Sequence, residues 1–123
     1  MRLLLDSHIL LWALDGRLGE RALGVILDET NSRYFSLASL WEIAIKLGKG
    51  SITAPPDLPA RLPELRVELL SITAGHLWSV QHLPQHHKDP FDRIIVAQAM
   101  AEDLTLMTHD RKLTQYGCKL LLV

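Results

Sequence analysis

Four acidic residues stand where strands end or helices begin, and their chemistry is the first feature of this chain. Asp6 and Asp110 each follow an apolar strand, whereas Glu42 and Asp92 lie within helices. In an open parallel sheet the carboxyl ends of the strands line one crevice. Carboxylates that converge there repel one another unless a cation compensates them, and Mg²⁺ or Mn²⁺ prefers such oxygen ligands. The residues therefore predict a metal-dependent phosphodiesterase, and a nuclease is the class we favour.

Composition is compatible with that prediction and narrows the class of protein. The 123 residues are 48% hydrophobic and 22% charged, which predicts one globular domain over residues 1–123. Cys118 is the lone cysteine, so an internal disulfide is excluded. No apolar run approaches the roughly 20 residues of a membrane span, so we expect a cytoplasmic protein. The net charge is −1. Without the four acids, the rest of the chain has 13 basic and 10 acidic residues, so the surroundings of a metal-loaded site would be mildly basic.

The elements that must position these acids alternate between strand and helix, which predicts a parallel sheet with helices on both faces. Apolar runs predict strands, helical spacing and caps predict helices, and four prolines make one segment a loop or a broken helix. The expected strands are Arg2–Asp6, Arg33–Ser36, Glu68–Ile72, Leu104–Thr108 and Lys119–Leu122. The expected helices are Ser7–Leu14, Gly19–Thr30, Ala38–Leu47, one from Thr73 to about Leu83, Asp89–Glu102 and a short one from Asp110. The proline-rich segment is Ala54–Pro63, and Gln85–Lys88 is expected to be a polar loop.

Each acid also has a purely structural interpretation. Asp6 and Asp110 can cap the helices that follow them. Asp89 suits the cap of its helix, with Pro90 next and Asp92 able to reach back, so we expect Asp89 to face the helix start. Glu42 caps nothing, and its apolar neighbours favour either a metal or an exposed pair with Lys46 four residues on.

Other side chains offer further interpretations. Four histidines lie within twelve residues, which raises a zinc site, but their spacing matches no zinc pattern: His76, His82, His86 and His87. We expect His86 and His87 in a surface loop near the site, and His109 either in solvent or against substrate. Arg93 and Lys46 are the candidates for contacting phosphate. Apolar residues of the helices would form a groove for a partner helix if exposed, and core if not: Trp12, Trp41 and Ile45, with Leu14 and Leu47 beside them.

Four ordered motifs resemble the PIN-domain family, and more narrowly its VapC-type toxins. They run Leu4-Leu5-Asp6-Ser7-His8, Ser39-Leu40-Trp41-Glu42-Ile43-Ala44-Ile45-Lys46, His86-His87-Lys88-Asp89-Pro90-Phe91-Asp92-Arg93 and Thr108-His109-Asp110. The resemblance covers nearly the whole chain. Ser7 stands where the family more often has threonine, which keeps the hydroxyl.

The resemblance implies a three-layer α/β/α fold around a parallel sheet. It also implies a ribonuclease dependent on Mg²⁺ or Mn²⁺, inhibition by a small VapB-like antitoxin, contact with DNA only through that antitoxin, and a homodimer. Carried over motif by motif, the catalytic and metal-binding acids are Asp6, Glu42, Asp92 and Asp110. Thr108 and Ser7 would support them.

Three functions from different classes remain open at this point. The favoured one is an endoribonuclease toxin that cleaves RNA with a metal-activated water. A phosphatase of the haloacid-dehalogenase kind would use Asp6 as its nucleophile, but His8 stands where that family has a second aspartate. The third is a binding component of an antitoxin–DNA autoregulatory complex with little nuclease activity. Magnesium-dependent cleavage of RNA separates the first from the third.

Overall fold

Parallel strands form the centre of the protein in the computed structural model, which describes residues 1–85 and 88–123. Within those ranges the sheet has five strands in the order β3-β2-β1-β4-β5. Their bounds are β1 Arg2–Leu5, β2 Ser32–Ser36, β3 Val67–Leu70, β4 Thr105–Thr108 and β5 Leu120–Leu122. The expectation for His86 and His87 lies outside the described residues.

Helices cover both faces of this sheet. Their bounds are α1 Ser7–Asp15, α2 Glu20–Leu27, α3 Leu37–Gly48, α4 Leu58–Glu64, α5 Ala74–Ser79 and α6 Pro90–Ala101. Short 3₁₀ helices follow at Val80–His82 and Arg111–Tyr116. No helix in the described part of the chain has the length and apolar character that crossing a lipid bilayer requires.

The central strand β1 fixes the three layers because its side chains are buried on both faces. Leu4 of β1 pairs in register with Tyr34 of β2 and Leu106 of β4. Leu3 and Leu5 pack into one core with α1, α2 and α3, whereas Leu4 packs into a second core with α6. Two cores on opposite faces of one parallel sheet make a three-layer α/β/α architecture, and the predicted fold class is confirmed.

The helix ends follow local chemistry. The Asp6 carboxylate caps α1 and Gly16 ends it with a φ of 78°, a left-handed conformation that glycine adopts without strain. The segment Ala54–Pro63 is more ordered than expected, since α4 occupies its second half. Leu58 and Leu62 of α4 are buried one turn apart, and Pro59 lies in the first turn, where its missing amide costs nothing.

A chain of hydrogen bonds, here called the interior network, joins β2, α5 and α6 through Ser36, Gln98, His76 and Glu102. The Ser36 hydroxyl donates to Oε1 of the fully buried Gln98 at 2.5 Å. The Gln98 amide lies 3.4 Å from Nδ1 of His76, whose Nε2 is 2.8 Å from Glu102. Each of these polar groups therefore has a partner inside the protein.

Candidate active site

The carboxyl ends of β1, β2 and β4 open into one cleft of about 530 Å³. The strand order requires this, because β1 lies between β2 and β4 and all three run in the same direction. All four predicted acids line this cleft, together with a fifth: Asp6, Glu42, Asp89, Asp92 and Asp110. The remaining residues around it are His8, Trp12, Lys46, His109, Arg111 and Lys112.

Asp6 is held rigidly at the floor of the cleft. One carboxylate oxygen accepts the Ser7 backbone N–H at 2.7 Å, and the other accepts the Thr108 hydroxyl at 2.7 Å. Only 7% of its surface is exposed, and this burial raises the pKa of Asp6 above its usual range although the two hydrogen bonds lower it. Asp6 therefore combines the capping role and a position in the cleft.

Glu42 is buried in the same cleft, on the face of α3 that points towards α1. The Ser7 hydroxyl donates to its Oε1 at 2.8 Å, and Lys46 Nζ lies 3.2 Å from its Oε2. With 7% of its surface exposed, Glu42 is not the solvent-facing residue that one interpretation required, although the expected pair with Lys46 is present. Ser7 thus links Asp6 and Glu42, because its amide and hydroxyl bind one acid each.

Asp92 carries the clearest electrostatic signature. Its pKa is raised to about 7, mainly because partial burial disfavours the charged form. The negative charges of four other acids raise it further: Asp6, Asp89, Glu42 and Asp110. The structure therefore brings the acids close enough to repel one another, and a bound cation would relieve that repulsion.

Asp110 joins the group from the end of β4. Its amide donates to the Thr108 hydroxyl at 3.0 Å, and its carboxylate accepts the Lys112 backbone N–H at 2.9 Å. The Thr108 hydroxyl thus bridges Asp6 and Asp110, which the sequence separates by more than a hundred positions.

Asp89 departs from expectation. It caps α6 by accepting the Phe91 backbone N–H at 2.9 Å, as expected. It also lines the cleft and raises the pKa of Asp92, so the idea that it faces only its own helix start is wrong. The cap position itself explains this, because the start of α6 is the wall of the cleft.

Arg93 is the second correction. Its guanidinium is buried and donates to the backbone carbonyls of Pro84 at 2.7 Å and Val80 at 3.1 Å. It also donates to the carbonyl of Leu83 and lies 3.4 Å from the Tyr116 hydroxyl. The predicted phosphate contact is wrong for Arg93, because these acceptors hold it away from the cleft. Lys46, the other candidate, does line the cleft.

The donor set fits a hard divalent cation. Mg²⁺ is usually held by one or two carboxylates and keeps several waters, and the cleft provides oxygen ligands with a charge that needs compensation. In residues 1–85 and 88–123, no three acidic, histidine or cysteine side chains already form a ready coordination sphere. Ion binding would therefore require small carboxylate movements or bridging waters. A zinc site with His76 has no support, because that ring is engaged with Thr73 and Glu102.

One wall of the cleft is aromatic, and sequence reasoning did not find it. The rings of His8 and Trp12 stack with centroids 5.6 Å apart, and His109 meets Trp12 edge-on at 5.2 Å. We call these three residues the aromatic platform. The i, i+4 spacing of His8 and Trp12 on α1 is a signal for their contact, but the approach of His109 depends on the sheet order.

The apolar residues assigned to a groove lie in different surroundings. Trp41 is 63% exposed and packs edge-on against Phe91, so its interpretation as core is wrong. Ile45 is half-buried on the same helix. Trp12 instead belongs to the aromatic platform, so a groove shared by all three remains a prediction.

Comparison with known proteins agrees with the fold. The family profile described as PIN domain matches residues 3–118. VapBC2 from Rickettsia felis, bound to a DNA fragment from their promoter, superposes with a TM-score of 0.73 at 20% identity, over 100% of this chain and 98% of that one. VapBC-1 from nontypeable Haemophilus influenzae gives 0.67 at 20% identity, over 99% and 98% of the chains.

A third structure is similar to the same degree. FitAcB from Neisseria gonorrhoeae gives a TM-score of 0.69 at 18% identity, over 97% and 96% of the chains. Identities this low establish likeness of fold alone. No curated protein matches the sequence significantly.

Proposed function

Because the chain belongs to the PIN domain family, we propose that it is a metal-dependent endoribonuclease that acts in the cytoplasm as the toxin of a toxin–antitoxin pair. The observation that carries the proposal is the mutual repulsion of the cleft acids. Burial and the negative charges of four neighbouring acids raise the pKa of Asp92 to about 7, and a bound cation would reduce that repulsion.

The ligands would be Asp6, Glu42, Asp92 and Asp110. A divalent cation bound there would polarise a phosphate oxygen and make a bound water more acidic. The chain's own groups would orient the reactants. The Thr108 and Ser7 hydroxyls fix the directions in which Asp6 and Glu42 present their oxygens.

Lys46 is suited to hold the substrate. Its ammonium lies 3.2 Å from Glu42 and lines the cleft, so a scissile phosphate would meet a positive charge beside the acids. Asp6, by contrast, is a poor phosphatase nucleophile. The chain has His8 where the haloacid-dehalogenase family places its second aspartate.

The antitoxin partner is supported by the structural neighbours, one of which is a toxin–antitoxin complex from Klebsiella pneumoniae. We expect the protein to co-purify with a small antitoxin when the two are produced together. Trp41→Glu should weaken that complex by placing a charge on an exposed apolar residue. Trp78→Glu, at a tryptophan 75% exposed on α5, is the matched control. The homodimer is also proposed and would appear as a doubled mass in sedimentation.

Cleavage of RNA by the purified protein is the direct test. Activity should require Mg²⁺ or Mn²⁺, cease with a chelator, and be lost in Asp6→Asn and Asp92→Asn variants that remain folded by circular dichroism. A folded wild-type protein that leaves RNA intact in both metals, yet binds its antitoxin, would instead support the binding-component function.

A further inference from the structure

The aromatic platform is not explained by metal binding or by core packing. The inner part of Trp12 packs against the core of α1 and α2, which explains why that ring is half-buried. Core packing does not explain His8, which is exposed and still lies against the indole. His109 is also exposed, and a hydrogen bond of 2.6 Å between its Nδ1 and the Val123 carbonyl holds its ring beside the indole. Together they present aromatic surface to solvent at the edge of a charged cleft.

The platform is close to the acids in sequence as well as in space. His8 is two residues after Asp6, and its positive charge, when present, is close enough to lower the Asp6 pKa. His109 lies between Thr108 and Asp110. All three rings border the same cleft as the carboxylates. A nucleotide with its phosphate at the acids would therefore have a neighbouring base within reach of the rings.

The charges of the cleft favour a nucleic acid as the occupant. Lys46, Arg111 and Lys112 line it beside the platform, so cations for a phosphodiester backbone and rings for bases occur in one cavity. This combination is how proteins bind single strands without reading their sequence, since every base has a face that can stack. A base-paired strand cannot offer that face.

We propose that the platform is a base-binding subsite, in which an unpaired nucleobase stacks on the His8–Trp12 ring pair next to the reacting phosphate. The inference rests on the proposed nuclease function and assigns a substrate-binding role to His8 and Trp12. A protein ligand is the competing occupant, because Trp12 also borders an apolar cleft of about 650 Å³ along α2.

Binding without chemistry provides the first test. The probe is a fluorescein-labelled, mixed-sequence, single-stranded oligoribonucleotide of about ten nucleotides, titrated into Asp92→Asn protein, which should not cleave it. His8→Ala and Trp12→Ala in that background should each raise Kd about fivefold or more, and Trp12→Phe should restore most of the affinity. His8→Ala and Trp12→Phe keep the test valid if Trp12→Ala fails to fold.

Matched controls separate stacking from general effects. His82→Ala and Trp78→Ala replace an exposed histidine and an exposed tryptophan that do not line the cleft, and they should leave Kd unchanged. The same oligonucleotide with abasic positions should bind the parent and His8→Ala proteins equally. A duplex of the same length should bind more weakly than the single strand.

Tryptophan fluorescence gives a second readout. In a Trp41→Phe, Trp78→Phe protein, Trp12 is the remaining indole, and stacking of a base on the platform should quench it in proportion to occupancy. Unchanged Kd in His8→Ala and Trp12→Ala, or no quenching at saturation, overturns the inference. The inference is also overturned if these variants still bind the oligonucleotide but no longer bind a co-produced antitoxin. The platform would then be a protein-docking site.

The outcomes also separate this inference from the proposed function. Wild-type protein that does not cleave RNA in Mg²⁺ or Mn²⁺ contradicts the nuclease function, whatever the platform does. Wild-type protein that cleaves RNA, with KM unchanged by His8→Ala, retains the nuclease function and contradicts the subsite. Support for both requires cleavage in the wild type and a KM raised by His8→Ala with a smaller change in kcat.

Discussion

Two buried polar regions of this protein differ in how their charges are balanced. The interior network joins Ser36, Gln98 and His76 by hydrogen bonds and ends at Glu102, which is partly exposed to solvent. The acidic cleft lies at the ends of the same sheet, and there the pKa of Asp92 is raised to about 7 by burial and by like charge. Buried polar groups that hydrogen-bond to one another hold the fold together, whereas acids that repel one another in a cleft indicate where a cation belongs.

The largest expected effect comes from the acidic cleft. Asp92→Asn should reduce RNA cleavage by more than about 100-fold, because loss of residues that only support metal ligands already costs about 10- to 100-fold. The same change should raise the melting temperature of the metal-free protein above pH 7, since it removes one of the repelling charges. Cleavage assays and thermal melts on one sample check both the fall in activity and the rise in melting temperature. A variant that melts lower and keeps its activity per folded molecule would make Asp92 a structural residue only.

A substitution in the interior network should lower stability and leave activity unchanged. Gln98→Leu removes the acceptor of the buried Ser36 hydroxyl and one hydrogen-bond partner of the His76 ring, and it should lower the free energy of unfolding by about 1–3 kcal/mol. Cleavage per folded molecule should not change, because Gln98 lies outside the cleft. Urea denaturation and an activity assay normalised to folded protein provide the measurement. A loss of cleavage per folded molecule together with the loss of stability would show that the two regions are coupled.

Thr108 lies between these two cases because it is a buried, hydrogen-bonded residue that contacts two acids of the cleft. Thr108→Val removes the hydroxyl that donates to Asp6 at 2.7 Å and accepts from Asp110 at 3.0 Å. We expect Mn²⁺ affinity to fall about tenfold, as for other residues that orient metal ligands. Calorimetry measures it, and Thr108→Ser, which keeps the hydroxyl, is the control. Equal affinities in the two variants would exclude an orienting role.

The last expected effect is on the pH dependence of stability. The pKa of Asp92 rises from 3.8 in the unfolded chain to about 7 in the folded one, so the folded state binds its proton more tightly. The stabilisation that the folded state gains from the protonated Asp92 is fully present below about pH 4 and is lost as pH rises through about 7. Metal-free protein should therefore melt lower at pH 8 than at pH 5, and saturating Mn²⁺ should reduce the difference.

A surface acid is the control for that pH effect. Lys119, 2.8 Å away, holds the pKa of the exposed Asp103 below its usual range, so its contribution to stability has the opposite sign. Asp92→Asn should flatten the profile, and Asp103→Asn should not. A profile that Asp92→Asn leaves unchanged would remove Asp92 as its origin.

The sequence predicted what depends on short segments. The apolar run before Asp6 made β1 a central strand, and Asp89-Pro90 marked the start of α6 within one residue. The acids were predicted to converge because parallel strands present their carboxyl ends together. These features are local or follow from one topological rule.

What depends on tertiary contacts was not predicted. Arg93 was misassigned because its acceptors lie on a turn at Val80–Pro84 that folds back onto α6. The aromatic platform was missed because His109 reaches Trp12 only when β4 lies next to β1. Periodicity and caps carry no information on which strands are neighbours.

The hydrogen bond from Thr108 to Asp6 also bears on when during synthesis the cleft can exist. It joins the first strand of the chain to the fourth, 102 residues later, and Asp110 is added later still. A nascent chain that ends before β4 has β1 without one neighbour and Asp6 without the hydroxyl that orients it. The cleft therefore forms only after β4 and Asp110 have left the ribosome, and such long-range closure slows folding. A partner that is translated at the same time therefore has the interval before the cleft forms in which to bind the protein.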